Sequence, residues 1–135
     1  MTEARKLLLV TRIPMRWGDM DAYSHLNNTI YFRYFEQTRV EWLEQQGCPV
    51  RADEPLGPVI INASCTFLMP VNYPATVIIR MFGGEPGRSS VMTWYELLVD
   101  GDDRVYAEGA AKVVWMDMRT GKSQPMPEFV RALFD

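Results

Sequence analysis

One long helical pattern set among strand-like runs constrains the fold of this chain more than any other feature. From about residue 28 to residue 46, Tyr31, Phe35, Thr38 and Trp42 recur at steps of four, three and four, which lines them along one face of a helix. Ile30 and Tyr34 widen that face, and Arg33, Gln37, Glu41 and Glu44 lie opposite. Asn27 or Asn28 can cap the start, because a short amide oxygen accepts an orphan N–H of the first turn. Gly47 followed by Pro49 is a stop signal. Glu36 and Arg39 stand at the spacing of an intrahelical ion pair.

The rest reads as strand, turn or loop. Residues 5–17 are apolar with single polar interruptions, a strand in which Pro14 points to an edge position or a bulge. Residues 18–27 form a polar loop, and 48–58 a second loop with Asp53, Pro55, Gly57 and Pro58. The clearest alternation is at 59–69, and 76–82, 90–99 and 104–116 read as further strands. The cluster GGEPGRS at 83–89, Asp100-Gly101 and RTGK at 119–122 supply the turns. Pro127 can start a short C-terminal helix, with Phe129, Val130 and Leu133 at helical spacing. The order predicts one α+β domain over residues 1–135, with a five-stranded antiparallel sheet curled around one long central helix. One helix covers only one face of such a sheet. The open face and edges imply a homodimer or homotetramer.

Composition excludes several functions. Net charge is −3 and the basic residues are scattered, which argues against nucleic acid as a partner. Neither Cys48 nor Cys65 stands in a metal-ligand spacing, so no metal is expected. Two thiols without a disulfide framework fit a reducing, cytoplasmic compartment. The apolar run at 7–10 is too short for a signal peptide, and no run approaches membrane-spanning length.

Chemistry concentrates just before the helix. Asp19, Asp21, His25, Asn27 and Asn28 fall within ten positions, and His25 is the one histidine of the chain. The residues admit two readings: a site, or a loop whose aspartates satisfy backbone N–H groups as in Asx-turns. The run GDMDAYSHLNNTIYFRYFEQTR resembles the signature of hotdog-fold acyl-CoA thioesterases, with the 4-hydroxybenzoyl-CoA thioesterase-like family as the nearest group. NASCTFLMPVNY and EGAAKVVWMDMRTGKSQPMP are similar to that family's second strand and to its last strand with the following turn.

The resemblance implies a hotdog fold with active sites where two subunits meet, an acyl-CoA substrate and no cofactor. It makes Asp21 the catalytic carboxylate, as nucleophile or as general base for water, and leaves Asp19 structural. It points to the backbone N–H of Asn28 as donor to the thioester oxygen. Free N–H groups at a helix start favour negative charge, and one aimed at the developing oxyanion is half an oxyanion hole. His25 either orients Asp21 or water, carries a proton to the leaving thiolate, or fixes the loop. Asn27 is a cap or a substrate contact, and Tyr31 is core or acyl-channel wall. EPGRSS at 85–90 lies where the family has a basic turn, so Arg88 can pair with a CoA phosphate and Ser89 or Ser90 with pantetheine amides, or the segment is a solvated hairpin. Acyl-ACP thioesterases of this fold carry Asp-x-Asn-x-His, and here Tyr23 replaces the middle Asn. The alternatives are therefore an acyl-ACP thioesterase, a dehydratase relative or a non-catalytic acyl-binding protein.

Overall fold

Both periodicities become structure in the computed structural model of the chain, which describes residues 4–48 and 51–135. The order is β1 (Lys6–Pro14), α1 (Asn28–Gln45), β2 (Leu56–Phe67), β3 (Thr76–Gly83), β4 (Ser90–Val99), β5 (Ala107–Asp117), β6 (Lys122–Ser123) and α2 (Glu128–Arg131), with 3₁₀ turns at Trp17–Asp19 and Ala132–Phe134. The long strands lie in the order β1-β3-β4-β5-β2, and every pairing is antiparallel. The two-residue β6 adds to the expected five strands. The turn after β5 folds Lys122 and Ser123 back onto Asp117 and Met116, with Gly121 at the left-handed φ of 72°. A single long helix on an antiparallel sheet is consistent with the hotdog fold.

The core sits between α1 and the inner sheet face. Val77, Ile79 and Met81 of β3, Val91, Thr93, Tyr95 and Leu97 of β4, and alternate residues Ala107 to Trp115 of β5 are buried. Tyr31, Tyr34, Phe35, Thr38, Trp42 and Leu43 of α1 meet them. Phe35 stacks on Tyr95 with 4.8 Å between ring centroids. Gly109 permits this approach, because a Cβ there would overlap the Phe35 ring. Thr38 is tolerated on the apolar face because its hydroxyl donates to the Tyr34 carbonyl at 2.9 Å and accepts from the Thr11 hydroxyl at 2.8 Å.

Local chemistry moves several boundaries. β1 is an edge strand that ends at Pro14, which has no N–H to give a ladder. Residues 17–19 leave the strand because the Asp19 carboxylate accepts the Arg16 N–H at 3.1 Å and coils the backbone into a 3₁₀ turn. β2, the other edge, starts at Leu56 and takes in Gly57 and Pro58 from the expected loop. β5 starts at Ala107 rather than 104: the Asp102 carboxylate accepts the Arg104 N–H at 2.9 Å and the Tyr106 hydroxyl at 2.7 Å, holding 102–106 out of the ladder. α1 stops where Gly47 takes φ 75°, and the Gly47 and Cys48 N–H groups close on the Glu44 and Leu43 carbonyls at 3.0 and 2.9 Å. The expected stop at Pro49 lies outside the described residues.

Two expectations about side chains are corrected. Glu36 pairs with Arg33 at 3.3 Å, not with Arg39, and Arg39 instead donates to the Tyr95 hydroxyl at 3.1 Å. Of the three residues at helical spacing Val130 is buried and Leu133 packs against the core, but Phe129 is 53% exposed, and Phe134 is buried in addition. The helix tightens to 3₁₀ after Arg131, which turns Phe134 onto Trp42 at a centroid distance of 5.3 Å. Among the described residues no helix is long and apolar enough to cross a membrane.

Candidate active site

The loop before α1 is fixed from below by Asp19. Its carboxylate is buried and accepts the Tyr34 hydroxyl at 2.6 Å and the Arg16 N–H at 3.1 Å. Burial pushes the Asp19 carboxyl up, but the Tyr34 hydroxyl, the Arg16 N–H and the Arg16 charge together hold it below the usual carboxylate value. Burial and the neighbouring Asp19 raise the Tyr34 phenol in turn. Backbone bonds tie the rest of the loop to the segment after β2: Leu26 N–H donates to the Val71 carbonyl at 2.7 Å and Tyr73 N–H to the Ser24 carbonyl at 3.0 Å. Ser24 itself lies at φ 64°, in the left-handed region.

Asp21 serves both readings open to it. One oxygen, Oδ1, accepts the Tyr23 N–H at 2.8 Å and the His25 N–H at 3.2 Å, the Asx-turn role. The other, Oδ2, has no hydrogen-bond partner among the described residues, and Asp21 lines a pocket of about 350 Å³. The same pocket is lined by His25, Asn28 and Tyr31 on one side and by 67–70 on the other. His25 is joined to Asp21 through the backbone, and its imidazole makes no hydrogen bond to the Asp21 carboxylate. Phe67, Leu68, Met69 and Pro70 belong to the run NASCTFLMPVNY, but the sequence does not mark them as site residues. Their signal is a run of large apolar residues ending in proline where an alternating strand stops.

Asn27 is the cap of α1: its Oδ1 accepts the Thr29 N–H and the Thr29 hydroxyl, each at 3.0 Å. That leaves the Asn28 N–H, the first of the helix, without a partner among the described residues. Two residues of the pocket thus each keep a polar group unspent among the described residues, a carboxylate oxygen on Asp21 and an N–H at the positive helix end on Asn28. Tyr31 is buried, packs edge-on against Phe67 at 4.7 Å between centroids, and has its phenol pushed up to about 12, mostly by burial.

Arg88, Ser89 and Ser90 are not brought to this pocket within one chain. The loop leaves β1 at Pro14, opposite Thr76, whereas the hairpin follows Gly83, at the other end of β3. At about 3.3 Å per residue the two ends of that strand are roughly 25 Å apart. There the Arg88 carbonyl accepts from Met126 N–H and Arg131 Nη2 at 2.9 and 3.1 Å, and the Ser89 carbonyl from Trp115 N–H at 2.8 Å. Among the described residues no cluster of three His, Cys, Asp or Glu side chains could hold a metal ion. Burial pushes the Cys48 thiol up and the Cys65 thiol up to about 11, so neither is a ready thiolate.

Comparison with known proteins adds a family. The profile of the thioesterase-like superfamily matches residues 15–134. A candidate thioesterase from Pseudomonas aeruginosa, PA2801, superposes with a TM-score of 0.91 at 40% identity, covering 96% of this chain and 100% of that one. The gentisyl-coenzyme A thioesterase BH1999 superposes at 0.83 with 26% identity over 94% of this chain and 100% of its own. A candidate acyl-CoA thioesterase from Xanthomonas campestris, XC229, does so at 0.76 with 30% identity over 90% and 98%. A candidate esterase from Aquifex aeolicus is 32% identical over 66 residues, 47% of this chain, and that match spans 52% of the curated relative's length.

Proposed function

Because the chain belongs to the thioesterase-like superfamily, we propose that it hydrolyses an acyl-CoA thioester to the free acid and CoA at the Asp21 pocket. The observation that carries this reading is that Asp21, whose Oδ2 is uncommitted, and Asn28, whose N–H has no partner among the described residues, both line one pocket. The thioester oxygen accepts from the Asn28 N–H, which stabilises the charge that develops as the carbonyl is attacked. Asp21 Oδ2 either attacks the carbonyl carbon itself or takes a proton from the attacking water. In the first route the bond from Oδ2 to the acyl carbon replaces the C–S bond, CoA leaves as the thiolate, and water then cleaves the resulting anhydride to the free acid and the Asp21 carboxylate. In the second the C–O bond from water replaces the C–S bond directly and CoA again leaves as the thiolate. The two N–H bonds on Oδ1 hold the carboxylate in one orientation, so that less freedom is lost at the transition state.

The other expected residues take roles around this centre. His25 shapes the loop through its backbone and presents its ring to the pocket as a proton carrier for the thiolate. Tyr31 and Phe67 wall the acyl group. Asn27 acts through the cap that sets Asn28. Arg88, Ser89 and Ser90 come from a second subunit to the phosphates and pantetheine, a reading supported by their distance from the pocket within one chain. The β2 edge supports that assembly: beyond its pairing with β5 it meets no other strand among the described residues, and it carries Ile61 and Phe67 at 53% and 46% exposure. The free cysteines support a cytoplasmic setting. The neighbours named for gentisyl-coenzyme A and acyl-CoA support a CoA ester over an acyl-ACP. Thiol release should be measured across short, medium, long and aryl acyl-CoAs and one acyl-ACP. Turnover of a CoA ester is expected. Turnover of acyl-ACP alone would overturn the carrier, and ligand binding without any turnover would indicate a non-catalytic acyl-binding protein.

A further inference from the structure

A second cavity, of about 170 Å³, lies under the C-terminal half of α1, walled by Trp42, Leu43, Met81, Val113, Trp115 and Phe134. An apolar cavity of about 150 Å³ suffices to bind benzene. Arg39, which also lines the cavity, lies eleven residues beyond Asn28 on the same helix, about 16 Å along its axis at 1.5 Å per residue. This places the cavity away from the Asp21 pocket.

The chemistry of the wall is set by Arg39. Its Nη1 donates to the Tyr95 hydroxyl at 3.1 Å. The Thr93 hydroxyl donates its one proton to the Ala111 carbonyl at 2.9 Å, so the 2.7 Å contact between Thr93 and Tyr95 has Tyr95 as donor. The hydrogen bonds therefore all run one way, from the guanidinium through two hydroxyls to a backbone carbonyl, and none of these acceptors is an anion. Glu36 is the nearby carboxylate on the cavity rim, and it is engaged by Arg33 at 3.3 Å. Arg39 is half-buried and makes no ion pair among the described residues, so its guanidinium has lost part of its hydration without a counter-charge in return. The guanidinium lies over the Tyr95 ring at 5.6 Å and among the described residues only its Nη1 has a hydrogen-bond partner, and a planar carboxylate fits the rest of that fork.

We propose that this cavity is a second ligand site, which takes a small apolar carboxylate with its ring or branched chain among the apolar walls and its carboxylate on Arg39. Free acids of the kind released by thioester hydrolysis belong to this class, but binding here requires no turnover. Calorimetric titration of the full chain with benzoate, and with benzyl alcohol as the uncharged analogue, tests it. Benzoate should bind about tenfold tighter than the alcohol, as a charge-assisted pair predicts. Arg39→Met should erase that preference while retaining alcohol binding, and Arg39→Lys should keep part of it. Equal benzoate affinity in the wild type and Arg39→Met would overturn the proposal, as would a wild type that shows no preference or binds no benzoate at millimolar concentration. Absence of thioesterase activity would leave the result standing.

Discussion

Two aspartates two positions apart do different work because their surroundings differ. Asp19 is buried and spent on Tyr34 and Arg16, whereas Asp21 keeps one oxygen on a pocket. Tyr34→Phe removes the hydroxyl and leaves a buried carboxylate short of a donor, so it should destabilise the fold by about 1–3 kcal/mol at neutral pH, read by denaturant melts. The pH dependence follows from sign. The Asp19 carboxyl is lowered in the folded state, so its stabilisation is present above the unfolded value of about 4 and is lost as pH falls through the lower folded value. The difference between wild type and Tyr34→Phe should therefore narrow below about pH 4. A gap that widens in acid would contradict the assignment. The sequence places Asp19, Asp21, His25 and Asn28 together because they are close along the chain. It does not disclose that Arg39 leaves Glu36 for Tyr95, since that partner is 56 residues away and only folding brings it near.

At the scale of elements, the helix face was legible because four side chains recur at helical steps. The helix's position on the sheet was not, because it depends on Gly109, whose missing Cβ admits Phe35. Gly109→Ala should cost about 1–3 kcal/mol by overpacking and should lower the melting temperature. An unchanged melting temperature would mean that the Phe35 ring relaxes freely. Strands β3 and β4 were read almost to the residue, since each has one buried face and one turn at either end. β2 and β5 shifted because Pro58 is tolerated on an edge and because Asp102 captures the start of the expected β5 locally. In the terminal segment Val130 is buried and Leu133 packs against the core, whereas Phe129, on the other side of a single helical turn, is exposed.

At the scale of the whole molecule, the two regions proposed to hold the substrate are separated. The Asp21 pocket and the Arg88 hairpin lie at opposite ends of β3, a relation fixed by strand order and invisible in local sequence. Association through the β2 edge is the predicted solution. Ile61→Lys puts a charge on that exposed edge and should shift the mass in light scattering from oligomer to monomer, with loss of activity. An active monomer would contradict the shared site. The most direct test of the account is the kcat of Asp21→Asn on the best acyl-CoA, with the melting temperature measured on the same preparation. The substitution keeps the shape and the Oδ1 acceptor but removes the base or nucleophile. A fall of about 10²-fold or more with unchanged melting is predicted. Turnover within a fewfold of wild type would contradict it and remove Asp21 from the chemistry.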